Sequence, residues 1–79
     1  MEVRFSRSAR KHRVGQAHAL HVVLHGMLTV IPADEDNDER LLWVGPDDRG
    51  VELEVLAIRL PDLVLVIHVM PTPYRRGRR

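Results

Sequence analysis

The stretch Leu63-Val-Leu-Val-Ile-His-Val-Met70 is apolar at every position but one. A strand with one solvated face alternates apolar and polar residues, so an unbroken run reads as a strand covered on both sides, either central in its sheet or buried in a dimer. The run falls far short of the ~20 residues a membrane helix needs. The opening residues MEVRFSRSARKHR contain no apolar leader core. A soluble, cytoplasmic domain without membrane partners is therefore expected. At 79 residues the chain makes one domain, and such a domain buries only roughly 60% of the surface its unfolded chain exposes. Without cysteine it has neither disulfides nor a thiolate metal site to add stability. We assign residues 1–73 to one α+β domain and 74–79 to a basic, flexible tail.

Turn residues set the order of the elements. Ser6 is a cap for a short helix over Arg7–Arg13, with Gly15 ending it. In the next segment, 16–26, Leu20, Val23, Leu24 and Met27 fall within one 100° arc at helical periodicity, which predicts the buried face of a second helix. His18, His21 and His25 then line its opposite side. Met27–Ile31 reads as a strand stopped by Pro32, and ADEDNDE as an exposed loop. Leu41–Val44 and Val51–Leu60 form a hairpin through Gly45-Pro-Asp-Asp-Arg-Gly50, and Leu60-Pro-Asp62 turns the chain into the apolar strand. The expected architecture is two N-terminal helices packed on a four-stranded antiparallel sheet.

Charge is divided along the chain. Residues 1–25 sum to +4, residues 26–62 to −7 and residues 63–79 to +4. If folding brings the basic ends together, they form one cationic face suited to phosphates. Arg7, Arg10, Lys11, Arg13, Arg75 and Arg76 are the nucleic-acid-binding candidates. With Phe5, Trp43 and Tyr74 the only aromatic residues, a platform for stacking single-stranded bases is not expected.

The order of elements and several short motifs resemble BrnT-like toxins, small ribonucleases of type II toxin–antitoxin pairs in the RelE/ParE superfamily. Lys11-His12-Arg13-Val14 with Ala17 and Val22-Val23 is similar to the family's Lys-His-Gly-Val entry into a helix. Asp38-Glu39-Arg40 with Gly45 resembles its acidic-Arg strand, and Gly50 with Leu53 and Val55 its next hairpin arm. The last third departs from that pattern, because the late-strand Arg is absent. The resemblance implies a toxin that cleaves RNA without a metal, with a small antitoxin protein as partner. The alternative is a non-catalytic module of the same class that binds nucleic acid or protein.

Metal-independent RNA cleavage needs a base, an acid and cations at the phosphate. Histidine serves either proton role near neutral pH. The catalytic candidates are His68 and His12, with Arg40 at the phosphate and Tyr74 as an additional donor. Strict alternation places His68 on the same strand face as Val64 and Val66. Such an imidazole is either functional or a core histidine satisfied by backbone or by a carboxylate such as Glu52 or Glu54. The His21/His25 pair has helical spacing for a metal but lacks a third ligand in reach, and the Asp34–Asp38 loop lacks the glycine and terminal glutamate of a calcium loop. No metal or other cofactor is expected, and a homodimer through the apolar strand fits the small core.

Overall fold

The computed structural model describes residues 2–10 and 15–72. The chain runs through strand β1 (Glu2–Phe5), a single 3₁₀ turn (Ser8–Arg10), helix α1 (Gln16–His25) and strands β2 (Met27–Ile31), β3 (Arg40–Pro46), β4 (Glu52–Arg59) and β5 (Leu63–Pro71). The strands form one sheet in the order β1-β5-β4-β3-β2. Antiparallel pairing joins β2 through β5, as expected of sequential strands linked by short turns, while β1 pairs with β5 in parallel. The expectation of two helices on a four-stranded antiparallel sheet is therefore corrected to one helix on a five-stranded mixed sheet.

Two local facts cause the difference. Glu2-Val-Arg-Phe5 alternates polar and apolar residues and takes the free edge of β5, with Val3 opposite Val64 and Phe5 opposite Val66. This addition makes β5 an interior strand, which is why its sequence lacks a polar face. Beyond Phe5 the cap at Ser6 is real, its Oγ accepting from the Ala9 amide at 3.2 Å. The capped segment is only the 3₁₀ turn, however, and Ser8 Oγ ties it to β5 by donating to the Ile67 carbonyl at 3.0 Å. The rest of the expected first helix, residues 11–14, lies outside the described residues.

The core lies between α1 and one face of the sheet. Ala19 and Val22 from the helix meet Leu41 and Trp43 of β3, Leu53, Val55 and Ala57 of β4, and Val64, Val66 and Val69 of β5, all buried. The expected buried arc of the helix is thus rotated. Ala19 and Val22 face the sheet, while Leu24 is 76% exposed. Small residues explain the choice, since they let the helix approach the sheet closely. Gly26 ends α1 with its N–H donated to the Val22 carbonyl at 2.6 Å. A Cβ built on Gly45 of β3 would stand only 3.1 Å from the Gly26 Cα. Leucines on this side would hold the two backbones apart.

A bulge in β5 alters which residues share a face. Ala57 pairs with Val66 and Leu56 with His68, so Ile67 has no opposite residue. Val69, rather than His68, then follows Val64 and Val66 into the core. The expectation that His68 shares their face is corrected by this one extra residue.

Candidate functional site

A ten-residue helix is about 15 Å long and covers only part of one face of a sheet that is about 19 Å across its five strands. No described helix or strand covers the opposite face. By register that face carries Leu42 and Val44 of β3, Leu56 and Ile58 of β4, and Leu65, His68 and Met70 of β5. These residues are partly exposed. Glu2 and Arg4 of β1 flank the face beside Leu63 and Leu65, and polar groups within it are few. Glu54 is buried, and its Oε2 lies 3.3 Å from His68 Nε2, whose side chain keeps 33% of its exposure. Of the groups expected to satisfy His68, backbone or a carboxylate, the Glu54 carboxylate stands beside its ring. Arg40 begins β3 on the same face, opposite Ile58 and Ile31. Its Nε is buried and has no hydrogen-bond partner among the described residues.

An imidazole beside a buried carboxylate has a fixed ring orientation and a route for a proton, which suits both acid–base chemistry and polar recognition. The described phosphate candidate is remote. Arg40 and His68 sit on strands two positions apart and are offset along them, so their Cα atoms are roughly 12 Å apart from strand spacing and rise. His12 and Tyr74, the remaining catalytic candidates, lie outside the described residues.

Arg7 and Arg10 are exposed and, with Ser6 and Ser8, line an open depression beside β5. The parallel β1–β5 pairing brings the first basic segment to the strand from which the second continues. Lys11 and Arg13, like Arg75 and Arg76, lie outside the described residues.

The three helical histidines part company. His18 Nδ1 is hydrogen-bonded to Asp48 Oδ1 in the β3–β4 turn, whereas the His21 and His25 rings lie 4.6 Å apart, centroid to centroid. With Asp47, the first pair places three ligand-type atoms within 4.8 Å of one another. Asp47 is already committed. One of its oxygens accepts from the Arg49 and Val51 amides, and the other from Arg49 Nε and Nη2. The cluster fastens α1 to the turn and pins the turn itself. The hydrogen bond from His18 holds the Asp48 carboxyl below its ordinary range.

Sequence reasoning missed two surfaces. On the helix side, a groove of ≈ 380 Å³ crosses the sheet beside α1, lined by Val23, Leu24, Leu28, Val30, Trp43 and Arg59 among others. At the sheet edge, β2 is exposed along most of its length. The signal was present in the excess of large apolar residues at 24–31 over what one short helix and one edge strand can bury. Among the described residues no helix is long and apolar enough to cross a membrane. The chain matches no family model, no curated protein and no solved structure at a significant level, so the likeness to BrnT-like toxins rests on the short motifs alone.

Proposed function

We propose that the chain is a non-catalytic binding module that docks a protein partner on the sheet face opposite α1. One observation carries this reading: an aliphatic surface spanning three strands, from Leu42 and Val44 to Leu65 and Met70, which no described element covers. Domains of this class normally make that face polar, and extended apolar patches with a few polar groups are typical of docking surfaces. The Glu54–His68 pair and Arg40 supply polar specificity within the patch. Aromatic side chains are absent from these positions, which favours a protein over single-stranded RNA. The partner this chemistry selects presents an apolar helix or sheet face with a complementary charge.

Leu56→Glu and Leu65→Glu test it. Both variants should fold with unchanged circular dichroism and melting, lose binding of a hydrophobic dye that the parent binds saturably, and lose proteins that copurify with the parent. Unfolding of both variants would place these side chains in the core and end the reading.

A second reading, a metal-independent endoribonuclease toxin held by an antitoxin, draws support from the partial exposure of His68 and from Arg7 and Arg10 lying beside β5. It requires that expression alone arrest growth and degrade RNA, and that His68→Ala abolish both. RNA left intact by purified protein removes it.

A further inference from the structure

The two sheet edges differ in kind. The β1 edge carries Glu2 and Arg4, which pair with each other, and the 3₁₀ turn continues along β5 beyond it. Charged, short and covered edges resist pairing with other chains. The β2 edge differs: Met27-Leu-Thr-Val-Ile31 contains no charge, Pro32 stands only after its last residue, and no described element covers it. The largest exposed apolar groups gather there. Leu24 is 76% exposed, Met27 78%, Leu28 47% and Val30 46%, higher than any other large hydrophobic residue described.

We propose that β2 is the seam of a homodimer, pairing antiparallel with the β2 of a second copy about a twofold axis at Thr29 to make one continuous ten-stranded sheet. The sequence is self-complementary in this register. Thr29 meets the partner's Thr29, an arrangement that permits a cross-strand hydroxyl contact. Leu28 meets the partner's Val30 on the helix side, and Met27 meets the partner's Ile31 on the other. Every apolar side chain thus faces an apolar side chain, and no like charges are opposed within the strand. Just outside it, the acidic loop beginning at Asp34 runs toward the partner's His25 and His21 at the end of α1. Leu28 and Val30 also line the apolar groove, so pairing brings the grooves of the two copies together at the seam.

The size of the contact is sufficient. At their observed exposures, Leu24, Met27, Leu28 and Val30 contribute roughly 400 Å² per protomer. Thr29 and Ile31 bring the exposed area available at this edge to about 500 Å² per protomer, or about 1,000 Å² in total when all of it is covered, the low end of specific association. Contacts at this end of the size range are weak and transient, so the dimer is expected to form only at elevated protein concentration. The seam is an edge pairing that borders the face proposed above at Leu42 and Val44, and substitution at Leu56 of β4, away from the seam, separates the two proposals.

Sedimentation velocity from about 1 to 500 µM covers the range in which so small a contact associates. The parent chain should shift from monomer to dimer across this range, Thr29→Lys should remain monomeric, and Leu56→Lys on the opposite face should dimerise as the parent does. Hydrogen exchange on the unaltered protein supplies a readout that no folding defect can confound: the alternate amides of β2 that point away from β3 should gain protection as concentration rises, while those of β1 do not. A parent that stays monomeric throughout, a Thr29→Lys variant that still dimerises, or exchange in β2 that is independent of concentration would each overturn the proposal.

Discussion

Asp47→Asn is the most direct test of how the β3–β4 turn is held. The Asp47 side chain is completely buried beside a half-exposed Arg49 guanidinium. Burial by itself would raise its pKa. The hydrogen bonds from the Arg49 side chain and from the Arg49 and Val51 amides outweigh that penalty and hold the carboxyl at about 2, against an ordinary 3.8. A carboxyl with a lowered pKa stabilises the fold in its ionised form. Its contribution is complete above pH 3.8, declines as pH falls, and vanishes below about pH 2. The magnitude is about 2 kcal/mol. Asparagine retains the carbonyl that serves the two amides but points an NH₂ group at the guanidinium. For a domain of this size, Asp47→Asn should lower the midpoint of thermal unfolding at pH 7 by roughly 8–16 °C. Melts followed by circular dichroism and by Trp43 fluorescence from pH 7 down to pH 2 should show the two proteins converging between pH 4 and 2. Asp34 and Asp48 are also lowered, by turn amides and by His18 respectively, but they are common to both proteins and cancel in the difference. Parallel curves across the whole range would refute the assignment.

Two glycines should respond to alanine for different reasons, measurable by urea denaturation. At Gly26 the new Cβ would meet the Val22 carbonyl at 2.6 Å and the Val44 carbonyl at 3.1 Å, backbone on both sides, so a loss of about 1–3 kcal/mol is expected. At Gly50 the Cβ would meet nothing within 4 Å, but φ is +84°, and the smaller cost of about 1 kcal/mol comes from the left-handed backbone alone. Leu53, fully buried between α1 and the sheet, should lose about 2–5 kcal/mol on Leu53→Ala; a loss below that range would show that the helix settles into the cavity.

The elements after residue 26 were legible because each strand is bounded by a strong turn signal. The Asp47–Gly50 turn and the acidic loop after Pro32 fell where their residues require. The edge strand β1 was not legible. Its four residues carry two charges, and its partner β5 lies some sixty positions away, so neither periodicity nor a nearby turn signals the pairing. The helix face was misread for a related reason. Hydrophobic periodicity weighs leucine above alanine and glycine, whereas the Gly26–Gly45 contact makes small side chains the ones that face the sheet.

The candidate site depends on one residue that no pattern of alternation reveals. Were Ile67 paired regularly instead of bulged, His68 would continue the face of Val64 and Val66 and enter a core of aliphatic side chains, where an imidazole lacking a hydrogen-bond partner costs several kcal/mol, of order ~2–7. The bulge turns it instead toward Glu54, on the face that no described element covers. The same displacement lets Val69 complete the core with Val64 and Val66. An interior strand thus satisfies two environments with an almost wholly apolar sequence, and its single imidazole is delivered to the surface where a partner is proposed to dock. Bulges persist where they re-aim a side chain, and here the side chain re-aimed is the only polar one between Leu63 and Met70.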